Sequence, residues 1–290
     1  MPPRDELAKI RYAKDLPLFE REKPYVVLSE LAASDSDFRH TNIELEFGKP
    51  QVIQDIRGRE AEFTLDSNGF QVCHQRSALG AWEKAHDIEV IYLPEVEALL
   101  RNELGPDVTG IKIFDWRLRR NVPHKHAGID RIDLNDKSNY LLPVTTAHID
   151  QTPRGVLSRV EQQMGKQAEA LLRGRVRLIN IWRPIKHSVQ DWPLALCDGS
   201  NLEAADLLAT DHITKGYVGE TYNLLYRDKY RWYYLNQQTP DEVILFKMFD
   251  SKRQVKAHAC PHASFKHNDI PLNAPPRESI EVRALVFSSP

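Results

Sequence analysis

The second half of the chain carries the pattern that most restricts the fold. From residue 175 onward, "VRLINIWRPI", "YRWYYLN", "EVILFKMFD", "KAHACPHASF" and "SIEVRALVF" are short runs rich in β-branched and aromatic residues. The turn-forming pieces "CDGSN", "NQQTPD" and "NAPPR" separate them. Many short strands must pair and also hide their edges, and a double-sheet jelly roll is the commonest closed solution. The spacing predicts a mainly β chain with covering helices (α+β), built on a double-stranded β-helix (jelly roll, cupin-like) core.

The 290 residues suffice for one large domain with a well-buried core. Residues 1–45 read as an irregular arm, about 46–135 as hairpin and helix elements, and about 136–290 as the β-helix core. In "AEFTLDSNGFQVCHQ", Asn68-Gly69 sits between two alternating segments and predicts a tight hairpin. "LPEVEALLRNELG" predicts a helix from about Pro94 with Gly105 as its stop. "VTGIKIFDWRLR" predicts a strand. Thr152 and Pro153 read as the N-cap and first residue of a second helix. Its stripe of Leu157, Val160, Met164, Ala168 and Leu171 predicts a face packed on a sheet, closed by Gly174.

Net charge is −2 and no single-sign run stands out, so neither nucleic acid nor a membrane surface is expected as a partner. The N-terminal "MPPRDELAKIRYAKDL" has no apolar signal region, and no stretch approaches the roughly 18 apolar residues of a membrane span. Three scattered cysteines, Cys73, Cys197 and Cys260, suit a reducing compartment. A cytoplasmic protein is expected.

Chemistry enters at "TAHIDQTPR", which follows the strand-like "NYLLPVTT". On a strand, residues two apart share a face, so His148 and Asp150 aim an imidazole and a carboxylate at one point. These are two of the three donors of a two-histidine, one-carboxylate site for Fe(II), which leaves positions open for a cosubstrate and oxygen. Candidates for the distal donor are His258, His262 and His267. His124 and His126 form a His-x-His pair in a basic loop with no third donor nearby. His40, His74, His86, His187 and His212 read as surface or structural residues. Arg277 and Ser279 open the last strand, where a guanidinium fork and a hydroxyl on one face can grip a carboxylate. Arg183, inside the apolar "NIWRPI", either binds an anion or pairs with an acid such as Asp198. Arg283 shares the face of Arg277 by parity.

The order of these pieces, with "DIRGREAEFTLDSNGF", "AHIDQT", "INIWRPI", "PLALCD", "RWYYLNQQTPDEVILFKMFDS", "PHASF" and "PPRESIEVRALVF", resembles a fungal and bacterial oxidoreductase family. Its members include the aspergillic-acid hydroxylase/desaturase, the gibberellin desaturase and a cephem-methoxylation component. The resemblance runs from about residue 50 to the C-terminus. It implies an Fe(II)/2-oxoglutarate-dependent dioxygenase that hydroxylates, desaturates or cyclises an unactivated C–H of a small secondary metabolite, using molecular oxygen. It puts His148, Asp150 and His262 at the iron, and Arg277, with Ser279, at the cosubstrate carboxylate. Other classes compatible with these donors are a metal-dependent hydrolase and a non-catalytic cupin-like binding protein. A methyltransferase reading lacks a Gly-rich cofactor loop after a strand.

Overall fold

The β-branched runs become strands that pair mostly antiparallel, and the computed structural model describes residues 4–27, 39–122, 136–214 and 216–289. In chain order the strands are β1 Glu6–Ala8, β2 Arg11–Ala13, β3 Tyr25–Val27, β4 Leu45–Phe47, β5 Gln51–Asp55, β6 Phe70–His74, β7 Val108–Arg120 and β8 His148–Ile149. They continue as β9 Arg175–Pro184, β10 Leu194–Cys197, β11 Leu207–Thr214, β12 Tyr217–Leu224, β13 Trp232–Tyr234, β14 Glu242–Asp250, β15 His262–Ser264 and β16 Glu278–Ser288. Two helices of three turns, α1 Leu93–Leu104 and α2 Pro153–Met164, cover them.

Among the described residues the larger sheet has nine strands in the order β1-β5-β13-β10-β15-β8-β12-β11-β3. The second has five, in the order β6-β14-β9-β16-β7. They pack face to face as a jelly roll. Strand alternation sorts the side chains of β9: Val176, Leu178 and Trp182 enter the core between the sheets, while Ile179 and Ile181 enter a second core under α1. Strand β16 divides the same way. Leu285 and Phe287 point between the sheets, and Ile280, Val282, Ala284 and Val286 point toward α1. The five-stranded sheet is thus buried on both faces, which explains why its strands read as continuous apolar runs.

Several expectations change. The segment "NYLLPVTT" makes only isolated bridges at Leu141 and Thr146, and "KAHACPHASF" is a strand only at His262–Ser264. The Asn68-Gly69 hairpin does not form. Residues Glu60–Glu62 make a 3-10 turn, and the amides of Asn68 and Gly69 bond back to Thr64 and Leu65. Only β6 is a strand, and its partner is β14, 176 residues on at Phe70↔Phe246. Gly69 is needed for its φ of +91° and for a close approach to the Ala259 carbonyl. The second helix is capped by the Thr152 side chain as expected, but it breaks at Gly165, whose φ is +52°. It resumes only at Ala168–Leu171. Val156 and Val160 are its buried residues, and Leu157 is 43% exposed. The N-terminal arm, finally, is partly regular: β1 pairs with β5, and β3 adds to the edge of the larger sheet through β11.

A buried ion cluster gathers around Lys247 of β14. Lys247 is fully buried and reaches Asp250 at 2.7 Å and Asp66 at 3.1 Å. Arg175 reaches Asp250 at 2.6 Å. Burial raises the Asp250 carboxyl, but Arg175 and Lys247 outweigh it and hold it below its ordinary 3.8. That contribution is therefore complete above pH 3.8 and is lost as pH falls through the lower folded value. Asp250→Asn is expected to cost about 3 kcal/mol in urea unfolding, the low end for breaking a buried pair because Asp66 still reaches Lys247. An unchanged urea midpoint would mean that Lys247 is compensated without Asp250.

Candidate metal and cosubstrate site

Strand pairing inside the larger sheet builds the site. Strand β8 lies between β12 and β15, and its His148 is the direct cross-strand partner of His262. Their rings stand 4.2 Å apart. Asp150 follows just beyond the strand and turns its carboxylate to the same point. Its Oδ1 lies 3.3 Å from His148 Nε2 and 3.9 Å from His262 Nε2. All three donor atoms lie within 4.8 Å of one another.

The hydrogen bonds around the triad fix which atoms are donors to a cation. His148 Nδ1 donates to the Thr146 carbonyl at 2.8 Å, which leaves the Nε2 lone pair aimed at the carboxylate. His262 Nδ1 faces the Cys260 carbonyl at 3.4 Å. Burial, reinforced by His148, pushes the His262 imidazole down to about 3, so it is neutral near pH 7. Burial alone would raise Asp150, but Arg283 and the two imidazoles hold its carboxyl well below the usual range. Two imidazole lone pairs and one carboxylate oxygen converging on a point repel one another unless a cation sits between them. The donor set therefore fits a divalent metal of Fe(II) type.

Asp150 presents one oxygen because the other is taken. Its Oδ2 accepts from Arg283 Nε at 2.7 Å and from Asn180 Nδ2 at 2.7 Å. Arg283 is held in turn by Asp115 at 2.9 Å and by Glu281. Burial opposes charge on Arg283, but Asp150, Glu281 and Asp115 keep it protonated. With three carboxylates around it, Arg283 has no fork to spare for an external acid.

Arg277 is placed differently. It is 3% exposed, lies over the Trp182 ring, and donates Nη1 to the Trp192 carbonyl at 2.8 Å and to Ser264 Oγ at 2.7 Å. Among the described residues no carboxylate comes within ion-pair distance of its side chain, and its Nε and the nearby Ser279 Oγ are buried without a partner. Burial and the neighbouring Arg119 pull its guanidinium down to about 9. A narrow cavity runs from His148 and His262 to Arg277, walled by Arg119, Val144, Trp182 and Leu194. Glu281 also lines it but is taken by Arg283, so the two guanidinium groups of Arg277 and Arg119 suit an incoming carboxylate.

Arg183 corrects an expectation. It alternates onto the outer face of β9, over the Tyr92 ring under α1, and donates to the carbonyls of Gln75 and Pro240. It faces away from the triad, and its acid is Asp241 at 4.0 Å rather than Asp198, which takes Arg231 at 2.9 Å. His258 bonds the Asp250 carbonyl at 3.1 Å and His267 faces Glu6 at 3.3 Å, so neither joins the triad. His124 and His126 lie outside the described residues. Sequence reasoning missed Asn180, Glu281 and the β7 residues Asp115, Arg117 and Arg119. The last three recur at every second position of "DWRLRR", a charged face in a strand that is a readable signal for a polar interior.

A family model described as "Oxidoreductase/YMDC permease-like domain" matches residues 10–287. The chain belongs to this oxidoreductase family. A hydroxylase/desaturase of Hormonema carpetanum, efuI, is 33% identical over 257 residues, covering 82% of this chain and 83% of its own. The Fe(II)/2-oxoglutarate-dependent dioxygenase nvfI of Aspergillus novofumigatus is 30% identical over 275 residues, covering 92% and 91%. A solved structure of the iron and alpha-ketoglutarate-dependent endoperoxidase NvfI superposes with a TM-score of 0.83 over 99% of each chain at 24% identity, which establishes the common fold.

In this family member the Arg283–Asp150 contact should matter to the metal. Arg283→Leu is expected to weaken Mn(II) binding about 10- to 100-fold, the usual effect of losing a partner behind a metal ligand. Titration followed by electron paramagnetic resonance, with melting as the check on folding, reads it. Unchanged Mn(II) affinity in a folded variant would show that Oδ2 needs no holding.

Proposed function

We propose that this protein is an Fe(II)/2-oxoglutarate-dependent oxygenase in which His148, Asp150 and His262 hold the iron and Arg277 and Ser279 hold the far carboxylate of 2-oxoglutarate. Its substrate is a small secondary metabolite, oxidised at an unactivated C–H by hydroxylation, desaturation or oxidative cyclisation. The carrying observation is a two-histidine, one-carboxylate set joined by one cavity to a buried arginine that lacks a carboxylate. Family membership supports the oxygenase over a hydrolase or a non-catalytic binder, the relatives named hydroxylase/desaturase and Fe(II)/2-oxoglutarate-dependent dioxygenase support the reaction class, and a relative named aspirochlorine biosynthesis protein N supports a biosynthetic substrate.

Bound iron supplies the activation of oxygen, driven by oxidative decarboxylation of 2-oxoglutarate. The chain's own part is to bind, orient and exclude water. Asp150 donates through Oδ1 because Arg283 and Asn180 occupy Oδ2. Arg277 and Arg119, with Ser279 across from Arg119 on the neighbouring strand, would seat the cosubstrate carboxylate, and Trp182, Leu194 and Val144 line the cavity beside it. A cleft of about 880 Å³ opens on His148 and Asp150 from the other side and takes the substrate.

No helix among the described residues is long and apolar enough to cross a membrane. We place the enzyme in the cytoplasm, where the buried Cys73, Cys197 and Cys260 stay as free thiols. We read residues 1–290 as one oxygenase domain.

Anaerobic addition of Fe(II) and 2-oxoglutarate to the apoprotein is expected to give a visible charge-transfer band, and its absence would overturn the assignment. His148→Ala and Asp150→Ala should abolish it. Arg277→Ala should raise the half-saturating 2-oxoglutarate concentration about 30- to several-thousand-fold, the cost of leaving a buried carboxylate unpaired. Iron affinity should hold, Arg277→Lys should recover only part, and Arg183→Ala should change neither. A large rise in Arg183→Ala with none in Arg277→Ala would move the anchor.

A further inference from the structure

The cleft that opens on His148 and Asp150 carries more positive charge than its own acids balance. Its cations are Arg117, Arg119, Lys137, Arg159 and Arg283, and its acids are Asp115, Asp150 and Glu220. Asp115 is already met by Arg283 at 2.9 Å, Lys137 at 3.2 Å and Arg117 at 3.6 Å. Asp150 takes Arg283. Glu220 is bonded by Lys23 and by the Thr152 hydroxyl.

Arg119, which reaches the Leu142 carbonyl and lines the inner cavity, and Arg159 are left over, and Arg159 alone of the two belongs only to this cleft. Among the described residues no carboxylate lies within 4.0 Å of Arg159. Its guanidinium carbon sits 5.2 Å from the Phe114 ring centre and 4.9 Å from that of Tyr217. One Nη donates to Tyr217 Oη at 3.0 Å and the other to Gln162 Oε1 at 2.7 Å, while Nε is buried with no acceptor. Three of the five N–H groups, Nε among them, are thus unengaged. Helix α2 carries the residue and the two rings fix its plane, so the fork is held in place before any ligand arrives. Much of the remaining wall is apolar: Val26, Ile43, Leu45, Phe114 and Val144.

We propose that the substrate is an apolar carboxylic acid whose carboxylate is received by Arg159, with its hydrocarbon body lying between that residue and His148. This rests on the reading of the cleft as the oxygenase's substrate site. A planar carboxylate matches the planar guanidinium fork.

The test uses decanoate, 2-naphthoate and abietate, each paired with its methyl ester. The probes are titrated by calorimetry into the anaerobic protein holding Fe(II) and 2-oxoglutarate, so that the Arg277 end is filled. At least one acid should bind about tenfold or more tighter than its ester, the value of a charge-assisted hydrogen-bonded pair. Arg159→Gln should erase that preference while the Fe(II)/2-oxoglutarate band persists, and Arg159→Lys should keep part of it. No acid exceeding its ester, or a preference that survives in Arg159→Gln, overturns the proposal. If the band never forms in the wild type, the oxygenase reading fails separately. The same titration in metal-free Arg277→Ala protein then still decides the carboxylate site.

Discussion

The ion pair between Arg283 and Asp150 joins the two sheets at the proposed metal site. Asp150 leaves the larger sheet just after β8, and Arg283 belongs to β16 in the smaller one. Neither charge is cheap to bury alone. Together with Asp115, Glu281 and Asn180 they form a closed set in which Asp150 Oδ2 has two donors and Arg283 three acidic partners. That set orients the carboxylate before a cation arrives and points its remaining oxygen at the two histidines. A carboxylate held from behind in this way would cost little to organise when a metal binds.

The sandwich separates three tasks by distance from solvent. Deepest is Arg277, over Trp182, with an unpartnered Nε and the idle Ser279 hydroxyl beside it. The triad comes next, and outermost is the charged and apolar cleft. Alternation along β7 and β16 supplies both polar inner faces. Arg119 stands opposite Ser279, Arg117 opposite Glu281, and Asp115 opposite Arg283. Cross-strand neighbours of opposite charge stabilise the pairing and set its register as well. One pair of strands thus carries the network behind Asp150 and the cationic end of the cavity, and any slip between them would disturb both.

Much of this was legible in the sequence. The strands β7, β9, β14 and β16 stand where their apolar runs predicted, and Thr152 caps the second helix as its Thr-Pro pair predicted. His148 and Asp150 were visible as a spaced pair, and "PHASF" marked His262 through the family resemblance. Two of the failures arise from long-range packing. Asn68-Gly69 has the composition of a local hairpin, but β6 gains more by pairing with the buried β14 than with the polar residues before it. Every residue of β9 from Val176 to Pro184 is buried, so no alternation of polarity told which way Arg183 points.

The sequence by itself therefore determined the elements and the donor types: a β-rich chain, an imidazole–carboxylate pair, several histidines downstream and arginines on the last strand. These follow from side-chain identity and from the period of a strand, which are local. Tertiary structure decided the choices among equals. His262 stands across from His148 because β15 pairs with β8, while His258 and His267 lie on loops facing Asp250 and Glu6. Arg277 and Arg283 share one face of one strand and cannot be told apart by parity. Asp115 and Asp150, brought in by two other segments, occupy Arg283 and leave Arg277 without a carboxylate. A group's partners lie across the sandwich, and only register and packing say which ones they are.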